Sequence, residues 1–397
     1  MNTKERLLLV ILACVNFTHI MDFMIMMPLG PQLMKLFDIT PQQFGFAVSS
    51  YSLTAGVSGF ISAFFVDKFD RKQTLLFAYI GFVVGTFACA FAPTYLMLVG
   101  ARILAGLFGG MIGAQVLSIV ADTIPYERRA GAMGIVMMAF SMASVLGVPA
   151  GLWLASLFSW HAPFMVVGSI GLVVILLIYF LVPPINGHLQ KAVQNHSPFH
   201  VLTDIWASPN QRKALTLSAV LMIGHFSIIP FLAPSLVGNA AFSQDNIFLI
   251  YLVGGSLTFF TSPLVGKIAD KRGKFPIFVL FALLSLIPVW LITNLWPMPL
   301  WVVLIISGMF FIFINGRMIP LQAMVSGVVP PEQRGGFMSI NSSMQQLSTG
   351  LAANLGGLIV VETVDGRLEH YNWVGYISIA LVLVSIWLAS RLRVNTQ

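Results

Sequence analysis

Of 397 residues, 57% are hydrophobic and only 9% are charged, 21 Lys and Arg against 14 Asp and Glu, for a net charge of +7. Soluble domains carry about 25% charged residues, so this chain cannot solvate two or three soluble domains, and most of it must be solvated by lipid. The positive charge would also suit a nucleic-acid binder, but the cations sit in short clusters between apolar runs, which membrane orientation explains better.

A helix needs about 20 apolar residues to cross the roughly 30 Å hydrocarbon layer, because a lone span must satisfy its own backbone hydrogen bonds. Twelve such runs occur, at 7–29, 44–66, 74–92, 95–121, 130–153 and 159–182, then at 214–238, 246–265, 275–293, 297–327, 336–361 and 373–390. The expected fold is an all-α polytopic membrane protein with twelve transmembrane helices. The first run follows Lys4 and Arg6, as a signal peptide would, but it lacks a small-residue cleavage site and precedes eleven more spans, so it reads as a retained helix. Cys14 and Cys89 lie in apolar runs at different depths and predict neither disulfide nor metal site.

Ionisable groups are costly in hydrocarbon, so each is a functional candidate. Asp22 lies seven residues before the end of the first span, roughly 10 Å deep at about 1.5 Å per residue. His19 is one turn away on the same face and suits either a proton relay or helix packing. Met21, Met24, Met26 and Met27 beside Phe23 suit either a promiscuous apolar pocket or ordinary filling. Arg102 lies seven residues into the fourth span, at the depth of Asp22. Gly106, Gly109, Gly110 and Gly113 of that span allow close helix approach, and Gln115 is a further polar group at membrane depth. The fifth span carries Gly147-Val148-Pro149-Ala150-Gly151.

The longest polar stretch, 183–213, opens with Pro183-Pro184 and divides the chain into residues 1–182 and 214–397. His225 in the seventh span and Arg317 in the tenth share a depth, each about eleven residues from one end. Arg317 suits an anionic or polar substrate through its planar fork, or donation to backbone carbonyls near Pro320. Gln322 follows in the same span. The eleventh span has a wide polar face, Asn341, Ser342, Ser343, Gln345, Gln346, Ser348 and Thr349, which cannot meet lipid. Asn341 and Gln345, one turn apart, are its best cavity candidates.

The halves repeat each other. Asp67-Lys68-Phe69-Asp70-Arg71-Lys72 and Asp270-Lys271-Arg272-Gly273-Lys274 are offset by 203 residues; Pro125-Tyr126-Glu127-Arg128-Arg129-Ala130-Gly131 and Pro330-Pro331-Glu332-Gln333-Arg334-Gly335-Gly336 by 205. Of the 21 cations, 17 fall in one alternating set of loops, which predicts that this set and both termini are cytoplasmic.

These features resemble the major facilitator superfamily along essentially the whole chain. Gly266-Lys267-Ile268-Ala269-Asp270-Lys271-Arg272-Gly273-Lys274 is similar to its loop signature, and the first-half copy departs from it with Ala63 and Asp70 at the glycine positions. The resemblance implies two six-helix bundles around a central cavity lined by the first, fourth, seventh and tenth helices. It also implies a latch between the halves, which would use Asp67, Arg71, Lys72, Gly266, Asp270 and Gly273, with Arg128, Arg129 and Arg334 beside it. Leu98-x-x-x-Arg102-x-x-x-Gly106 resembles the motif associated with proton coupling. The segment holding Gly147, Pro149 and Gly151 is close to the antiporter motif, although the fuller motif has proline directly after glycine. The branch most resembled is the twelve-helix drug:proton antiporters, including arabinose-efflux-like permeases.

The expected function is secondary active transport by alternating access: efflux of a small, partly apolar solute such as a drug or sugar derivative in exchange for protons. Asp22, Arg102 and His19 are the expected coupling residues, with a static buried ion pair as the alternative. Arg317, His225, Gln115, Gln322, Asn341 and Gln345 are the candidate substrate contacts. Proton-coupled uptake of a metabolite is the runner-up, and a receptor or lipid-handling protein reusing the fold is a third reading. With no phosphate loop or metal-ligand cluster, the chain is expected to be no enzyme, to use no cofactor and to draw on an ion gradient, with H+ as coupling ion. The expected partners are the solute, protons and the bilayer, without nucleic acid, for a monomer in a bacterial inner membrane.

Overall fold

The computed structural model describes residues 3–62, 64, 68–186, 199–330 and 334–393, with backbone alone at 121, 126–131, 137, 141, 199–201 and 334–335. Eleven helical segments among these are long and apolar enough to cross a membrane. A twelfth long helix, Arg334–Ile359, carries the polar face from Asn341 to Thr349, which lowers its hydropathy.

The chain divides into two compact units, Met1–Met26 with Ser50–Pro198 and Met27–Ser49 with Phe199–Gln397. The expected boundaries at 182 and 214 therefore differ in two places. Residues 27–49 cluster with the second unit, and part of the expected linker is helical, since Phe199–Ala207 forms a helix and the next begins at Pro209. Residues 187–198 of that linker lie outside the described residues.

The first unit contains α1 (Thr3–Ile25), most of α3 (Pro41–Ser62), α4 (Arg71–Ala90), α5 (Tyr95–Thr123), α6 (Tyr126–Met142), α7 (Val148–Leu157) and α8 (His161–Leu181). Helix α2 (Gly30–Phe37) belongs to the second unit. The starts are chemically marked. Asp70 caps α4 by accepting from the Gln73 N–H at 3.1 Å, and Thr94 caps α5 through the Met97 N–H at 3.4 Å. Helices α6 and α7 form one span joined by a π-helical turn, Ala143–Gly147. That turn lies at the start of the glycine-proline segment singled out in the sequence.

The second unit adds α9 (Phe199–Ala207), α10 (Pro209–Phe226), α11 (Ile229–Ala240), α12 (Ile247–Arg272), α13 (Lys274–Thr293), α14 (Leu300–Ser326), α15 (Arg334–Ile359) and α16 (Tyr371–Ser390). Its first membrane segment is broken between α10 and α11, at Ser227-Ile228, just before Pro230. A break at membrane depth frees carbonyls that must find donors. Side chains supply them: Tyr371 donates to the Ile228 carbonyl at 3.0 Å, and Ser378 to the Gly224 carbonyl at 2.6 Å. The break between α1 and α2 falls at the matching place, since Ile25 and Ile228 differ by the repeat offset of 203.

One element departs from the all-α expectation. Val361–Glu362 (β1) and Leu368–Glu369 (β2) form a short antiparallel hairpin around Gly366, whose φ of 75° suits glycine. Asn239 at the end of α11 holds it from both sides, donating to the Leu368 carbonyl at 2.9 Å and accepting from its N–H at 2.8 Å.

Candidate functional site

The first unit's site is assembled from α1, α3, α4 and α5. Arg102 and Asp22 are both fully buried, and Arg102 Nη1 donates to Asp22 Oδ2 at 2.7 Å. The same nitrogen lies 3.3 Å from the Asp22 carbonyl, so the arginine grips the backbone of α1 as well. Their shared depth, read from the sequence, thus becomes an ion pair. Breaking such a pair by removing one partner strands a buried charge. Among the described residues Asp22 is also the only buried carboxylate.

Tyr51 completes this cluster, and sequence reasoning missed it because one aromatic residue in an apolar run carries no signal. Its ring lies under the guanidinium, with Arg102 Cζ 4.3 Å from the centroid, in cation–π geometry. Thr86 and Cys89 of α4 are electrostatic neighbours of the pair. His19 packs its ring against Tyr51, at 6.2 Å between centroids, and edge-on to Phe82 at 5.6 Å. It forms no hydrogen bond to Asp22, although it lies one turn away. Behind it, the Thr18 and Tyr79 hydroxyls hydrogen-bond at 2.7 Å.

The glycines of α5 explain how these helices come so close. A Cβ on Gly106 would collide with the Tyr51 carbonyl, and one on Gly110 with the Ala55 carbonyl. One on Gly109 would lie 2.5 Å from the Tyr51 hydroxyl and 3.0 Å from His19 Nε2. Three of the four glycines therefore form the seat of α3, and Gly113 faces open space. The α7 segment meets α1 in the same way. A Cβ on Gly147 would touch Met21 Sδ at 3.2 Å, and one on Gly151 would press on Ile25 Cδ1 at 2.6 Å. The two glycines of the resembled antiporter segment thus lie against the turn of α1 that bears Asp22, and Pro149 between them is buried. Met21 fills the groove over these glycines, so it acts as packing there.

In the second unit Arg317 of α14 is likewise fully buried, and its Nη1 donates to the Ser285 hydroxyl of α13 at 2.8 Å. Its Nε and Nη2 have no hydrogen-bond partner among the described residues. His225, at the end of α10, lies within electrostatic reach of Arg317, and its Nδ1 is unpartnered. The structure does not join the remaining candidates to Arg317. Asn341 is buried with Oδ1 unpaired, Gln345 leaves Nε2 unpaired, and Gln322 is half-buried. Gln115, in the first unit, is buried with Oε1 unpaired.

The basic loops show why the two signature copies differ. Gly273 separates α12 from α13 with a φ of 95°, a conformation that favours glycine. Its counterpart Asp70 has a φ of −58° and works as a helix cap, so glycine is not needed there. Gly266 is not crowded, since a Cβ would meet only Ile319 at 3.9 Å. Arg71 pairs with Asp122 at 2.9 Å and Lys72 donates to the Tyr179 carbonyl at 2.9 Å, tying α4 to α5 and α8 within the first unit. Asp270 is exposed. Asp67 lies outside the described residues, as do the side chains of Arg128, Arg129 and Arg334.

A family model described as the Major Facilitator Superfamily matches residues 12–353. The chain belongs to this superfamily. It is 24% identical over 369 residues to the uncharacterized MFS-type transporter YceJ of Bacillus subtilis (strain 168), covering 91% of this chain and 90% of the relative. It is 22% identical over 355 residues to a probable sugar efflux transporter of Helicobacter pylori (strain G27), covering 89% of this chain and 87% of the relative. A crystal structure of a D-xylose-proton symporter matches with a TM-score of 0.78 at 17% identity, covering 96% of each chain. A bacterial homologue of the human lysosomal transporter Spinster, inward-facing and occupied, matches with a TM-score of 0.77 at 14% identity, covering 99% of this chain and 98% of that one. The solved structures establish the twelve-helix fold. As a superfamily member the protein is a multi-pass membrane transporter of small molecules, and not an enzyme.

Proposed function

We propose that this transporter exports a small, partly apolar solute, such as a drug or sugar derivative, in exchange for protons, and that Asp22 carries the proton. The observation that carries this reading is the isolated, fully buried Asp22–Arg102 pair. Protonating Asp22 removes the charge that holds Arg102; deprotonating it restores the pair. Because Arg102 also grips the α1 backbone and rests on Tyr51 of α3, proton binding is coupled to the packing of three helices. Such a linkage is what a proton-driven conformational cycle requires. The contact of Gly147 and Gly151 with α1 beside Asp22, and the H. pylori relatives named as probable sugar efflux transporters, support export. The clustering of 17 cations in one set of loops supports a bacterial inner-membrane orientation with both termini cytoplasmic.

Uptake with protons is the second reading, favoured by the symporter among the structural neighbours. The same pair would serve with the opposite coupling. Proteoliposomes with an imposed pH gradient separate the two: solute extrusion from the alkaline compartment means antiport, and accumulation there means symport. The solute is chosen by screening drugs, sugars and amphiphiles for thermal stabilisation of the solubilised protein.

A further inference from the structure

We infer that the transported solute carries a carboxylate or a similar small anionic group, bound by the free edge of the Arg317 guanidinium, whose Nη1 is held by Ser285. This assignment rests on the transport reading above and names the chemistry of its cargo. Arg317 is a fully buried cation in a unit with no buried carboxylate among the described residues. Arg102, equally buried, is neutralised by Asp22 at 2.7 Å; the Arg317 hydrogen bond goes to an uncharged hydroxyl. An uncompensated charge is the costliest group to bury, so its retention needs a counter-ion.

The free donors have the right shape. With Nη1 committed to Ser285, Nε and Nη2 are left, the two N–H groups that point the same way on one edge of the guanidinium and match the two oxygens of a carboxylate; Arg102 leaves the same two atoms unpartnered, and what sets Arg317 apart is that no carboxylate meets its third nitrogen. The local backbone does not consume them, although Pro320 cannot donate to the Gly316 carbonyl and so leaves it available one turn away. His225 Nδ1 adds a further unpartnered polar atom within electrostatic reach.

Benzoate and benzamide test this, since they share an apolar face and differ by the charge. Thermal unfolding of the solubilised full-length protein is measured in each at matched ionic strength. Benzoate is expected to raise the melting temperature of the wild type and of Asp22→Asn by several degrees, with benzamide giving no shift, and Arg317→Gln is expected to abolish the difference. Loss of a buried side chain can by itself prevent folding, so Ser285→Asp provides an independent arm. Its carboxylate would stand beside Nη1, and it is expected to melt above the wild type and to lose the benzoate response. Equal effects of the two probes, a benzoate shift that survives Arg317→Gln, or a lower melting temperature in Ser285→Asp would overturn the assignment. Failure here with pH-driven transport still dependent on Asp22 removes only the anionic cargo. A benzoate response with Asp22→Asn transporting normally removes only the proton reading.

Discussion

Two buried arginines, Arg102 and Arg317, occupy corresponding helices of the two repeats, α5 and α14, yet stand in different electrostatic states. Arg102 meets Asp22 at 2.7 Å and a Tyr51 ring at 4.3 Å, so its charge is balanced by the protein itself. Arg317 donates to Ser285 and has no counter-ion among the described residues. At the position matching Asp22 by the offset of 203, the second unit has His225, which supplies no permanent negative charge. By the same offset Arg102 matches Ile305 rather than Arg317, so the two arginines are not repeat-equivalent, and the difference teaches that corresponding helices can each bury a cation in unlike ways: one in a self-neutral pair that a single proton can switch, the other without a carboxylate beside it.

The largest expected effect breaks the balanced pair. Asp22→Ala strands Arg102 and is expected to cost about 3–5 kcal/mol, with Asp22→Ala combined with Arg102→Met recovering most of it in thermal unfolding. Arg317→Met, by contrast, removes a charge that has no counter-ion and is expected to leave stability within about 1 kcal/mol of the wild type or to raise it. Equal losses in both units would dissolve the distinction. Next comes the glycine seat that holds Tyr51 beside Arg102. Gly110→Ala drives a methyl into the Ala55 carbonyl and is expected to cost about 1–3 kcal/mol. Gly113→Ala meets nothing within 4 Å and is expected to gain about 0.5–1 kcal/mol through helix propensity. The smallest effects compare the basic loops. Gly273→Ala is expected to cost about 1 kcal/mol by strain at φ 95°, while Asp70→Gly loses only a few tenths of a kcal/mol at its cap. Chemical denaturation of each variant reads these differences.

The spans were legible because a lipid-facing helix must be apolar for about 20 residues, a signal few other demands imitate. The Asp22–Arg102 pair was legible for the complementary reason, since two opposite charges at one depth in hydrocarbon have little choice but to meet. The break at Ser227-Ile228 was not, because it lies inside one continuous apolar run and is stabilised by Tyr371 and Ser378, some 140 to 150 residues away in α16. The hairpin at 361–369 was hidden for a similar reason: its strands are two residues long, too short for a period-2 pattern, and it depends on Asn239. Tyr51 and Ser285 looked like ordinary members of apolar helices, and only the fold shows that each contacts a buried guanidinium. Arg317 was visible as a buried charge, but whether a carboxylate met it was a question about packing.

The central claim is that Asp22 links the proton gradient to movement of the solute. It is tested most directly by comparing wild type and Asp22→Asn in proteoliposomes, using one solute for both pH-driven transport and solute-for-solute exchange. The account predicts that Asp22→Asn loses the response to the pH gradient by at least about tenfold, equivalent to about 1.4 kcal/mol of coupling, while exchange persists. A variant that transports in response to the pH gradient as the wild type does would contradict it.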